Sequence, residues 1–168
     1  MNPQAWLVAI LSICAATQLS SILNAQTTTT PKQESATAKS PMQLLAQYRG
    51  VLPCADCPGI DTTLSLFANA PNDLAHTRYV LKSSYQERNN SFTETGTWSI
   101  VHGTQDNPDA TVYQLKPKDG GQPTNFLRVS DNEILQLDSE RRRIESKLNF
   151  SLKKTPIRAS SIPLPSGY

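Results

Sequence analysis

From Tyr48 to Leu152 the chain is a succession of short runs in which apolar and polar residues alternate, each closed by turn residues. None has a helical period long enough for a crossover between parallel strands. The clearest run sets Phe92, Gly96, Trp98 and Ile100 against Thr93, Thr95, Thr97 and Ser99. Gly96 inside it predicts a bulge or a close approach by another backbone. Tyr48, Gly50 and Leu52 share one face of an earlier run, and Ile60, Thr62, Leu64 and Leu66 share the next. Ala68 to His76, with Pro71, Asn72 and Asp73, reads as a loop. Tyr79, Leu81 and Tyr85 alternate with Arg78, Lys82 and Ser84 before a turn at Asn89-Asn90. Gly103 to Asp109 is loop; Tyr113 and Leu115 continue the sheet, Asp119-Gly-Gly121 turns it, and Thr124 to Val129 follows. Asp131-Asn132 is a two-residue hairpin turn into Ile134, Leu135 and Leu137. Arg141-Arg-Arg143 precedes a last run of Leu148, Phe150 and Leu152. About eight short strands joined by sequential turns predict an all-β domain, an up-and-down antiparallel barrel in preference to a sandwich.

The ends of the chain read differently. Ala5-Trp-Leu-Val-Ala-Ile-Leu-Ser-Ile13 is apolar but short for a bilayer span, and small residues follow it, so residues 1–25 read as a signal peptide. Cleavage after Leu23-Asn-Ala25 fits best, with Cys14-Ala-Ala16 as the second candidate. Leu11-Ser-Ile-Cys14 would instead place an acyl chain on Cys14. The residues alone favour a cleaved, soluble product. Residues 26–40 are Thr, Ser, Pro, Ala and Lys without large apolar side chains, a flexible tether. Ser40-Pro-Met-Gln43 has the cap, proline and glutamine of a helix start and predicts one turn through Leu45. The barrel domain is thus expected over 41–154, and 155–168, with Pro156, Pro163 and Pro165, reads as a disordered tail.

With 168 residues the chain has room for one core of useful size. A net charge of +2 and no basic stripe interleaved with aromatics argue against a nucleic-acid binder. There is no glycine-rich phosphate loop, no serine elbow, and no zinc spacing around the two histidines, so no enzyme is expected.

The chemistry concentrates between the first two strands, in Pro53-Cys-Ala-Asp-Cys-Pro-Gly59. Two cysteines separated by two residues can close a disulfide, hold a soft metal or exchange disulfides. A catalytic dithiol wants its sulfur at a helix N-terminus, and the prolines with Gly59 make this stretch a turn between strands instead. Export to an oxidising compartment makes a Cys54–Cys57 disulfide the default resting state. Reduced, the pair suits copper(I), whose softness matches thiolate and for which two sulfurs suffice. Redox state would then gate metal binding. Asp56 reads first as a turn former and second as a cation contact, so the loop reads as cation-friendly. His76 and His102, both in expected loops, are accessory-ligand candidates, and Met42 a weaker one. Tyr48, Phe92, Trp98 and Tyr113 read as core. Arg141 to Arg143 reads as a solvated turn, with anionic lipid headgroups as a weaker reading. Alternatives to the copper reading are a lipocalin-like carrier of a small apolar ligand and a thiol-disulfide oxidoreductase.

The stretch Tyr48-Arg-Gly-Val-Leu-Pro-Cys-Ala-Asp-Cys-Pro-Gly-Ile-Asp61 resembles the N-terminal domain of the NlpE family, copper-resistance and envelope-stress lipoproteins of Gram-negative bacteria. Thr95-Gly-Thr-Trp98, Leu135-Gln-Leu-Asp138 and Leu148-Asn-Phe-Ser-Leu152 follow in the family's order. The resemblance implies a lipocalin-like barrel on the periplasmic side of the outer membrane. It also implies roles in copper tolerance and in signalling envelope stress to a membrane sensor kinase. Acylation would map onto Cys14, and the resemblance brings that reading level with cleavage. Larger family members carry a second barrel of the oligonucleotide-binding type; the chain reads as ending before one.

Overall fold

A computed structural model describes residues 42–88 and 90–157. The expected signal peptide, the tether, and the tail beyond Ile157 lie outside the described residues. Eight strands follow in chain order: β1 (Gln43–Leu52), β2 (Ile60–Ala70), β3 (Asp73–Tyr85), β4 (Ser91–His102), β5 (Thr111–Pro117), β6 (Thr124–Ser130), β7 (Glu133–Leu137) and β8 (Ser151–Lys154). Each pairs antiparallel with the next, and β8 returns to β1, so the sheet closes as an up-and-down barrel. No described residue is helical.

Alternation in the sequence becomes inside and outside of the barrel. Tyr48, Leu52, Leu64, Leu66, Tyr79, Trp98, Leu115, Phe126, Ile134 and Leu152 point inward and form one buried core. Tyr113 stacks into it, its ring edge-on to Trp98 at 5.8 Å and tilted against Tyr48 at 6.5 Å. Burial, and then the neighbouring Tyr113, pushes the Tyr48 hydroxyl above its usual range. The buried indole satisfies its donor by giving Nε1–H to the Phe67 carbonyl at 2.9 Å.

A second cluster, Ala110, Val112, Leu127 and Leu137, lies on the outside. Val112 and Leu127 are register partners that alternate with the inward Tyr113 and Phe126. The long β7–β8 loop runs over this patch: Arg143 bridges back to Leu137, and Arg141 donates to the His102 carbonyl at 3.1 Å. Asp138 ties the start of that loop. Its carboxylate accepts from the Arg142 amide at 2.8 Å, the Glu140 amide at 2.9 Å and Arg142 Nε at 2.9 Å. The Arg142 amide, and then the Arg142 side chain, hold the Asp138 carboxyl below the usual carboxylate range. A depressed folded-state pKa stabilises above the unfolded value, and that contribution is lost as pH falls through the folded one. Thermal melts from pH 6 downward should therefore show Asp138→Asn with a shallower acid limb than the parent below about pH 4. Parallel limbs would mean that this carboxylate does not hold the loop.

Several expectations are corrected. Of the expected helical turn at 40–45, residues 43–45 are strand, Gln43 pairing with Ala68 and Leu44 with Phe67; residues 40 and 41 lie outside the described residues, and β-pairing outweighs the local capping signal. The Ala68–His76 loop shrinks to Pro71-Asn72, so His76 lies in β3 and His102 ends β4. Of the two readings of Gly96 the close approach holds and the bulge does not, since the β4 register runs through it without a break and the β5 backbone lies against it. Phe92 is 59% exposed and rests edge-on against Tyr85 at the rim, not in the core. Leu148 is exposed, and the last strand begins only at Ser151.

Candidate metal and redox site at the barrel rim

Residues 53–59 join β1 to β2, whose ends are pinned by the Leu52–Ile60 pair. The linker is extended and bent, with no helical turn at either cysteine. Cys54 and Cys57 are joined by a disulfide with their Cα atoms 5.3 Å apart. Both are partly exposed. Asp56 sits between them, with its Oδ1 3.5 Å from Cys54 Sγ, and the Gly59 carbonyl oxygen lies 3.4 Å from Cys57 Sγ. One ligand atom each from Cys54, Asp56 and Cys57 falls within a 4.8 Å cluster.

The neighbouring β3–β4 turn clasps this loop. Gln86 donates its amide to the Gly59 carbonyl at 3.0 Å and its side-chain Nε2 to Asp61 at 3.1 Å. Glu87 adopts left-handed backbone (φ 61°) where the chain reverses. Arg88 then reaches the loop, donating Nη2 to the Asp56 carbonyl at 2.9 Å and to the Asp56 carboxylate at 2.7 Å. The cation-friendly reading of the loop is therefore modified, since its one carboxylate already has a cation. Arg88 was missed because nothing local marks it: its partner is 32 residues away, and the two meet only through the β2–β3 register.

With the disulfide reduced, the Arg88 charge offsets Asp56 beside the sulfurs. Arg88→Gln should raise the thiol pKa and slow alkylation of the reduced pair by iodoacetamide about two- to threefold, since both partners are largely solvated. The difference should shrink in high salt. An unchanged rate at low salt would show that Arg88 has no electrostatic hold on the sulfurs.

The remaining candidates lie elsewhere. In an up-and-down barrel the β1–β2 and β3–β4 connections share one end, and the β2–β3 and β4–β5 connections share the other. His76, with Nδ1 3.4 Å from Asp73, is nine residues along β3 from Tyr85 at the cysteine rim, about 30 Å in a strand. His102 and Met42 also belong to the far end. None of the three can join the cysteines on one ion. Arg142 of the arginine run is taken up by Asp138 and Glu140, and Arg141 by a backbone carbonyl; that run is a structural clasp.

The fold and site together define a class: a closed eight-stranded antiparallel barrel with a disulfide-bonded Cys-x-x-Cys loop at one rim. The sequence profile described as the NlpE N-terminal domain matches residues 48–147, and the chain belongs to the NlpE family through that domain. It is 31% identical over 120 residues to Lipoprotein NlpE of Escherichia coli strain K12, which covers 70% of this chain and 42% of that protein. The chain thus spans about two fifths of the length of that curated relative. Two solved structures are similar. A protein of Shewanella oneidensis assigned as a lipoprotein has 32% identity and a TM-score of 0.46, covering 66% of this chain and 88% of that one. The Cpx pathway activator NlpE of Escherichia coli has 30% identity and a TM-score of 0.42, covering 71% and 53%.

Proposed function

We propose that this chain is a cell-envelope lipoprotein domain that takes part in envelope-stress signalling and handles copper at the Cys54–Cys57 loop. Its family membership supports the first part, as does the relative in Escherichia coli, which is described as a lipoprotein and as the activator of the Cpx pathway. On this reading Cys14 carries the acyl chain, residues 26–40 tether the barrel to the outer membrane on its periplasmic side, and the downstream partner is a membrane sensor kinase.

The observation that carries the copper part is the paired sulfurs on a helix-free, partly exposed rim loop. The oxidised loop has no thiolate to offer. Two electrons and two protons from a dithiol reductant open the disulfide to two thiols, and copper(I) binding then displaces the thiol protons. The ion needs only the two sulfurs. Asp56, a hard oxygen donor engaged by Arg88, acts on the loop's charge and not as the main ligand. The carrier alternative would require the side chains that fill the barrel, Phe126, Leu115 and Tyr79 among them, to part.

The test is a copper(I) titration against a chromogenic chelator, with oxidised and reduced protein side by side. The reading expects about one equivalent bound by the reduced form and none by the oxidised form. Equal uptake by both forms, or none by either, would refute it. The intact mass of protein taken from its native envelope checks the anchor, which must appear as a diacylglyceryl group on Cys14.

A further inference from the structure

Strand register gathers three cations into one row on the outer wall. Lys153 of β8 lies opposite Arg49 of β1, Arg49 opposite Thr63 of β2, and Thr63 opposite Lys82 of β3. These residues alternate with the inward Leu152, Tyr48, Leu64 and Leu81, so they face out, and all three cations are exposed. The row crosses three strand spacings, about 14 Å.

Arg49 and Lys153 are direct cross-strand partners of like charge, an arrangement that disfavours the closing seam of the barrel. Three other basic side chains are matched: Arg88 with Asp56, Arg128 with Asp131, Arg142 with Asp138 and Glu140. Among the described residues Arg49, Lys82 and Lys153 make no ion pair; Glu133 stands opposite Lys153 in register without reaching it. The imbalance extends over the whole wall. The outward positions of β8, β1, β2 and β3 hold Arg49, Arg78, Lys82 and Lys153 against Asp61, a net of +3, and the rest of the described residues carry a net of −3. The near-neutral chain is therefore a barrel with one positive side.

From this we infer that the β8-β1-β2-β3 wall docks on an anionic phospholipid bilayer. The row is an exposed strip of point charges, bordered on the side away from the cysteine rim by the buried outward residues Gln47, Ser65 and Val80, and it lacks the interleaved aromatics that stack on nucleic-acid bases. Phosphate-bearing headgroups complement it and relieve the Arg49–Lys153 opposition. The inference rests on the proposed envelope location for the presence of a bilayer. It shares no residue with the cysteine loop, so its failure would leave the copper reading untouched.

The full chain is compared with R49Q/K82Q/K153Q and with the charge-matched control K116Q/K118Q/K147Q by co-sedimentation. The vesicles are phosphatidylcholine alone, or phosphatidylcholine with roughly a third of phosphatidylglycerol. The apolar N-terminal segment is common to all three proteins and both vesicles, so it cancels in the ratio. One cation near an anionic surface contributes about fivefold in partitioning. The parent should prefer anionic vesicles, more so at low salt, and the triple variant should lose between tenfold and about a hundredfold of that preference. The control should keep most of it. K82Q alone, which leaves the β1–β8 seam unchanged, must move the same way, so a folding defect at the seam cannot imitate the result. Equal losses in row and control variants, or no preference for anionic vesicles in the parent, would overturn the inference. Competition by free glycerophosphate at matched ionic strength would also overturn it, since it would indicate a discrete anion site and not a docking wall.

Discussion

Replacing Cys54 and Cys57 together by serine will abolish copper(I) binding by the reduced protein and leave the barrel folded. The two parts of this expectation have separate grounds. Serine hydroxyls are hard, neutral and protonated at neutral pH, so the variant offers copper(I) nothing in place of two thiolates. Among the described residues the only other group clustered with them is Asp56, an oxygen donor held by Arg88. Affinity should fall by at least about 10⁴-fold, more than about 5 kcal/mol, which in a chelator competition is indistinguishable from no binding. The barrel should survive because the disulfide closes a very short loop and lies at the rim, outside the packed core. A loop that small removes little entropy from the unfolded chain, so the loss in stability should be about 2 kcal/mol or less. Single serine variants should lose copper almost as completely as the double one, since one thiolate cannot supply the second of two ligands. A double variant that still takes up one copper in the competition would move the site off this loop.

How much of this could be read from residues alone differs between strand and loop. The fold class was legible because closing one sheet requires period-two alternation in every strand, and Tyr48, Leu64, Tyr79, Trp98 and Leu152 all fall on the inward parity. The turn at Asp131-Asn132 was legible for a local reason, its two residues joining Ser130 to Glu133. Hairpin ends were harder. The polar run near Pro71 resembles a long loop, yet Ala70 and Asp73 pair directly across it. The continuation of the Ser40-Pro-Met-Gln43 signal through Leu45 failed because a nascent helical turn competes with the β-pairing that begins at Gln43. At the site, the cysteine loop announced itself, whereas Arg88 and the row of Arg49, Lys82 and Lys153 are products of register. A one-residue slip would turn every one of those cations inward, so no inspection of short stretches could find them.

Glycine substitutions should report on barrel closure, and Gly96→Ala should have the largest effect of any single methyl added to this domain. Gly96 lies on β4, opposite Tyr79 of β3 on one side and Pro117 of β5 on the other. A Cβ placed there runs into the Lys116 carbonyl oxygen and comes within 2.8 Å of the Tyr79 ring and 2.9 Å of the Lys116 carbonyl carbon. In an open structure the ring would rotate away, but Tyr79 is 1% exposed and its hydroxyl donates to Glu94 at 2.7 Å. The β5 backbone cannot yield without breaking its ladder to β4. Overpacking against backbone has no rotamer escape, so the cost should be about 3 kcal/mol or more, a fall in Tm of about 10 °C for a domain of this size. Gly50→Ala is the intermediate case. Its Cβ would meet the Ser151 carbonyl oxygen at 2.7 Å and a Leu152 methyl at 3.0 Å. The four-residue β8 is held to β1 by only two register pairs and can shift, so about 1–2 kcal/mol is expected. Gly121→Ala should lie within about 0.5 kcal/mol of the parent, because its nearest neighbours stand off at 3.5 Å. Urea unfolding of the three variants should give the order Gly96, Gly50, Gly121 at a constant m-value. Gly96→Ala as mild as Gly121→Ala would mean that β4 and β5 do not approach as described, and with them the curvature that closes the barrel over Tyr79.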